Sequence, residues 1–220
     1  MAHLDCYVDL VSPYVWLALR GLPRIDTAAG APVRLVPVLF AGLLNAHGNL
    51  GPAEVPAKRR YVFRDVMREA ARRGLPFAGP PGHPFNPLAA LRMCTALADD
   101  TARRALALEL AGACWERGAD IGDAAVLVQL ADGIGLDGAA LLATAGTVEV
   151  KRQLVDATAQ AVADGVFGVP TYRLQDSGEL FWGGDRLDAL LWRLGGSTID
   201  EAALEAFLDR EPLAERRRRG

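Results

Sequence analysis

The sequence predicts an α/β fold in which a βαβ unit opens the chain, a long helical segment follows, and a ββα unit closes it. Three observations carry that expectation. Apolar alternation marks strands near both ends of the chain and fades in the middle. The dipeptide Ser12-Pro13 turns the first strand into a helix, with serine as N-cap and proline at the first helical position. Alanine- and leucine-rich stretches with helical spacing fill residues 40–164.

In order, Leu4, Cys6, Val8 and Leu10 alternate as a strand. The helix that Ser12 opens runs to about Ala29, and Pro23 bends it or divides it in two. Gly30-Ala31-Pro32 ends it, and residues 33–38 alternate as a second strand. A helix between two strands makes them parallel neighbours. Residues 56–73 then form a basic amphipathic helix, with Val62, Phe63, Val66, Met67 and Ala70 on one face and Gly74 as its stop. Helices over 87–98, 101–117, 123–131, 137–145 and 147–163 follow. In the helix over 101–117, Leu106, Leu110 and Cys114 recur every four residues as a core stripe. After Gly165 the sheet pattern returns: residues 171–174 and 179–182 flank Asp176-Ser177-Gly178 as an antiparallel hairpin. Helices over 185–194 and 200–209 close the pattern. The expected organisation is a discontinuous domain, 1–39 and 165–220, carrying an inserted helical domain, 40–164.

The totals bound the function. At 220 residues, 51% hydrophobic and 23% charged, the chain has material for a well-buried core. A net charge of -3 and a pI near 5.7 call for neither nucleic acid nor an anionic membrane. The arginines from Arg216 to Arg219 read as a solvated tail. Cys6, Cys94 and Cys114 are odd in number, far apart and set in apolar patterns, so they read as core thiols, neither a disulfide framework nor a metal site. With no secretory leader and no apolar run of membrane-spanning length, the expected compartment is the reducing cytoplasm.

The predicted order of elements is that of a thioredoxin-like fold with inserted helices. Val11-Ser12-Pro13-Tyr14, Gly48-Asn49-Leu50-Gly51-Pro52, Gly165-Val166-Phe167-Gly168-Val169-Pro170-Thr171 and Phe181-Trp182-Gly183-Gly184-Asp185-Arg186-Leu187 closely resemble, in the right order, the motifs of 2-hydroxychromene-2-carboxylate isomerases. Those enzymes are related to kappa-class glutathione transferases and, more distantly, to DsbA-type disulfide oxidases. A disulfide oxidase of this fold carries two cysteines at the strand-to-helix turn. Here the four residues are Ser12-Pro13-Tyr14-Val15, so dithiol exchange at this turn is excluded.

The resemblance implies glutathione as cofactor and a glutathione-dependent isomerase of the chromene-carboxylate type, acting in aromatic catabolism on a small aromatic carboxylate and working as a homodimer. It makes Ser12 the catalytic residue, a hydroxyl that stabilises the glutathione thiolate beside a helix N-terminus. It assigns glutathione binding to Ser12, to Val169 and Pro170 through a cis bond, and to Trp182, Gly183, Gly184 and Asp185. The second substrate falls to Tyr14, Asn49, His83 and Phe85, with Lys58 and Arg92 as sources of positive charge. Taken singly, these residues have plainer readings: Ser12 and Asp185 as N-caps, Pro170 as an edge-strand proline, Asn49 as a turn residue, Lys58 on a solvated helix face, and Trp16 as core. A kappa-like glutathione transferase and a non-catalytic thiol-peptide binder are the alternative functions.

Overall fold

The computed structural model describes residues 1–214, so the Arg216 to Arg219 run lies outside the described residues. Four strands, β1 (Leu4–Val8), β2 (Arg34–Pro37), β3 (Thr171–Leu174) and β4 (Leu180–Trp182), form one mixed sheet in the order β2-β1-β3-β4. β1 pairs parallel with β2, as a βαβ unit requires, and antiparallel with β3, which forms a hairpin with β4. All five residues of β1 are buried. Asp5, although polar, is compensated there: its carboxylate accepts from Arg34 Nε and Nη2 at 2.7 and 2.8 Å and from Gln175 at 2.7 Å.

The expected helix to Ala29 is two helices, α1 (Pro13–Leu19) and α2 (Leu22–Ala29), parted at Arg20 and Gly21. Pro23 therefore sits in the first turn of α2, where its missing N–H costs nothing, and not inside a bend. Between β2 and β3 lie α3 (Phe40–Ala46), a 3-10 turn (Pro52–Glu54), α4 (Pro56–Arg72), α5 (Leu88–Ala96), α6 (Asp100–Arg117), α7 (Ala124–Gly133), α8 (Gly138–Ala145) and α9 (Val148–Ala163). Asp99, Asp123, Asp137 and Thr147 cap α6 to α9 through their side chains. A 3-10 turn (Gly184–Arg186), α10 (Leu187–Leu194) and α11 (Glu201–Leu208) follow β4.

One apolar core joins the sheet to α1, α2 and the intervening helices. Leu106, Leu110 and Cys114 are fully buried in it, as their spacing predicts. On α4 the predicted apolar face is narrower than expected: Val66 and Ala70 are buried, Val62 and Phe63 half-buried, and Met67 faces solvent. Among the described residues no helix is long and apolar enough to cross a membrane.

Candidate active site

The sheet register decides where the site lies. Tyr7 pairs with Thr171, and Thr171 with Trp182, so the chain leaves β1, enters β3 and leaves β4 at one end of the sheet. That end gathers 9–12, 167–170 and 183–185, three of the four stretches that the sequence singles out. Gly183 N donates to Pro170 O at 2.9 Å and ties the second to the third. Gly184 lies against α1, where a Cβ would stand 3.6 Å from both the Ala18 Cβ and the Tyr14 carbonyl.

Ser12 has extended backbone at the N-cap of α1, and its carbonyl accepts from Val15 and Trp16, but its side chain caps nothing. The hydroxyl, on a residue only 8% exposed, makes no hydrogen bond with any described residue. It is unspent. Asp185 departs from its expected capping role in the same way. It sits inside the 3-10 turn, α10 begins two residues later, and its carboxylate pairs only with exposed Arg186, at 3.1 Å. The carboxylate folds back over Gly183, whose φ of 102° and lack of Cβ make room for it. The Val169–Pro170 bond is cis, and no described residue hydrogen-bonds the amide or carbonyl of Val169.

Asp9, which sequence reasoning passed over, holds this end together. It is 2% exposed, and its two oxygens accept from Val11 N at 3.0 Å and Phe40 N at 2.9 Å. It thereby fastens the turn before Ser12 to the start of α3. Burial raises its pKa from 3.8 to about 6, against the opposing pull of those two amides.

A cavity of about 480 Å³ opens beside these segments. Val169, Pro170 and the run Trp182 to Arg186 form one side of its lining, with Tyr14 and Leu17 from α1. The remaining lining was not anticipated: Tyr61, Asp65, Glu69 and Arg73 of the α4 segment. Their four-residue spacing puts them on one helix face, and that polar stripe was the available signal. Tyr14 Oη donates to Asp65 Oδ2 at 2.9 Å; burial, then that carboxylate, push its pKa up, so it remains a phenol. Arg73 bonds the Leu17 carbonyl at 3.0 Å and pairs with Glu69, which Arg72 and Arg73 hold below the usual carboxylate range. A neighbouring hollow of about 460 Å³ shares Glu69, Arg73, Gly184 and Asp185 and is rimmed by Arg20, Arg24 and Arg72.

Other predicted residues lie elsewhere. His83 and Phe85 belong to an inner aromatic cluster with Phe63 and Trp115, not to the cavity lining. His83 Nε2 must carry a proton to donate to the Val11 carbonyl at 3.0 Å, which leaves Nδ1 buried with no partner among the described residues. Burial lowers the His83 pKa and keeps the ring neutral. Asn49 is exposed after α3, with its backbone N–H bonded to Leu44 O, and is not in the cavity lining. Lys58 is exposed, and Arg92 Nε is buried without a partner among the described residues. Trp16 is core, bonded to Glu116 at 2.7 Å. Cys6, Cys94 and Cys114 are buried and reduced; burial raises the Cys6 pKa and pushes Cys94 and Cys114 up to about 12. None can supply a thiolate near neutral pH.

Fold and turn together define a thioredoxin-like protein that carries a serine and no cysteine pair at the end of its first strand. The chain belongs to the DSBA-like thioredoxin family, whose domain matches residues 3–195. It is 31% identical over 191 residues to the 2-hydroxychromene-2-carboxylate isomerase of Sphingobium xenophagum, covering 85% of this chain and 95% of that one. It is 28% identical over 204 residues to glutathione S-transferase kappa 1 of Rattus norvegicus, with 87% and 90% covered. The solved structure of a 2-hydroxychromene-2-carboxylate isomerase superposes with a TM-score of 0.80 at 24% identity, over 94% of this chain and 99% of that one.

Proposed function

We propose that the chain is a glutathione-dependent isomerase of the 2-hydroxychromene-2-carboxylate type, interconverting the chromene carboxylate and trans-o-hydroxybenzylidenepyruvate. We place it in the cytoplasmic breakdown of aromatic compounds, as a homodimer in which helical residues 40–164 are inserted between 1–39 and 165–220. The observation that carries the reading is the unspent Ser12 hydroxyl at the same sheet end as the unpaired Val169 backbone. Names of relatives support it: one is a chromene-carboxylate isomerase, another a glutathione transferase. The reduced, buried cysteines fit a reducing compartment.

The residues present suit glutathione. Val169 offers one free N–H and one free C=O, the pair that a peptide backbone takes up as an added strand. Asp185, free of any capping duty, can receive an α-ammonium group, and the Trp182 to Gly184 backbone lies beside it. Glutathione held by Ser12, the Val169 backbone and Asp185 would supply a thiolate nucleophile for reversible addition to a conjugated double bond, the chemistry that allows rotation about it. Ser12 donates its hydroxyl proton in a hydrogen bond to that sulfur and favours the anion. A hydrogen bond to a charged group contributes about 1.5–3 kcal/mol, which lowers a thiol pKa by roughly one to two units.

Two measurements test this. Calorimetry with reduced glutathione should show binding, and no heat at millimolar ligand would remove the cofactor. In Ser12→Ala the ultraviolet absorbance of bound thiolate should titrate about one to two units higher, with turnover about ten- to a hundredfold lower; an unchanged titration would sink the assignment. The kappa-class relative favours a second reading, in which glutathione is consumed. Counting glutathione against product separates the two, since an isomerase needs it only in catalytic amount.

A further inference from the structure

Two large aromatic side chains stand in solvent beside the Val169–Pro170 segment. Phe167 is 40% exposed and Trp182 53%. Their rings meet edge to face, with centroids 4.9 Å apart and planes at 63°. His47 adds a second edge contact to Phe167, at 6.5 Å and 89°, and is itself pinned through Nε2 to the Val166 carbonyl at 3.0 Å. The indole is held from below by Gly168, where a Cβ would come within 2.6 Å of Nε1 and 3.2 Å of Cε2. Trp182 lines the cavity; Phe167 precedes Val169 by two residues.

An exposed aromatic pair so braced is not a side chain left over from the core. We propose that Phe167 and Trp182 form a shelf that receives the aromatic ring of the second substrate at the lip of the cavity. The inference rests on the proposed function, and it puts the ring's binding place on the sheet side, where Trp182 lines the cavity, and not at His83 and Phe85, which are half-buried against Phe63 and Trp115. The chemistry favours a flat ring. Two edge-to-face rings offer one face and one edge of opposite quadrupole sign, which a third ring complements and an aliphatic chain does not. Glutathione carries no aromatic ring to stack there, and its α-ammonium group is assigned to the Asp185 carboxylate. The exposed aromatic of α11, Phe207, lacks this link to the cavity lining.

The test compares an aromatic acid with an aliphatic one. Binding of trans-cinnamate and of sorbate is measured by calorimetry on the full chain, with and without saturating reduced glutathione, for wild type, Phe167→Ser and Phe167→Leu. Cinnamate affinity should fall at least tenfold in Phe167→Ser and less in Phe167→Leu, while sorbate affinity stays within about twofold. Glutathione affinity should be unchanged in both variants. The shelf is refuted if wild type does not bind cinnamate, if Phe167→Ser binds it as wild type does, or if both acids weaken alike. Phe167→Leu keeps the apolar bulk, so a folding defect in the serine variant leaves the comparison readable. Absence of glutathione binding in wild type would refute the proposed function separately, since cinnamate binding to the free chain still reads the shelf.

Discussion

Replacing Asp9 by asparagine should destabilise the protein more at pH 5 than at pH 7. Both oxygens of buried Asp9 accept from backbone amides, those of half-buried Val11 and Phe40. Asparagine keeps one acceptor and turns an NH2 donor toward the other amide, a mismatch that costs about 1–3 kcal/mol. Against this stands the burden of a buried charge. The folded pKa is about 6 against an ordinary 3.8, so the folded state holds a proton that the unfolded chain has already released. The associated stability is complete below the unfolded value and is lost as pH rises through the folded one. About two units correspond to roughly 3 kcal/mol, nearly all of it lost by pH 7 and about half still present at pH 5. Asparagine does not titrate. At pH 7 the relief and the mismatch nearly cancel; at pH 5 the variant should lie roughly 1 kcal/mol further below wild type. Urea unfolding of both proteins at the two pH values measures the gap. A gap that is constant, or wider at pH 7, would show that Asp9 is held ionised by its two amides and is not raised by burial.

Asp185→Asn should weaken glutathione at least about tenfold, the loss expected for one charge-assisted pair, while leaving Tm unchanged because the carboxylate caps no helix; calorimetry and a melt read both. Gly183→Ala must take φ of 102° and displace the Asp185 carboxylate, which together cost about 2–3 kcal/mol and lower Tm by several degrees in a thermal scan. A thiol reagent should label none of Cys6, Cys94 and Cys114 in the native protein and all three in denaturant; rapid native labelling would contradict their burial.

The architecture was legible because strand alternation and helix-start residues report local geometry directly. Even the division between α1 and α2 was visible as Pro23, although the break falls before it, where proline is tolerated. Side-chain roles were less legible. Ser12 and Asp185 look like caps, yet capping depends on a rotamer and on which residue the helix begins with, and neither carboxylate nor hydroxyl meets an amide. His83 and Phe85 read as pocket residues because they sit in a proline-bounded polar loop; their half-buried rings also pack against Trp115, a contact that the sequence does not report. The Tyr61, Asp65, Glu69 and Arg73 stripe shares its helix with a stronger apolar periodicity, and a polar helix face in sequence looks the same whether it meets solvent or a cavity. Asp9 lay three residues before Ser12 as one polar residue in a strand, and only the arrival of α3 shows what it fastens.

Leu10 O accepts from Trp115 Nε1 at 3.2 Å, and Val11 O accepts from His83 Nε2 at 3.0 Å. Two successive peptide groups are thus suspended from aromatic rings that belong to distant stretches of the chain. The backbone into Ser12 is consequently aimed by the helical segment as much as by its own strand. Sequence drift in the loop around His83 or along α6 reaches the serine through a carbonyl, without touching the sheet. A graft of the helical segment from one relative to another would therefore carry that alignment with it.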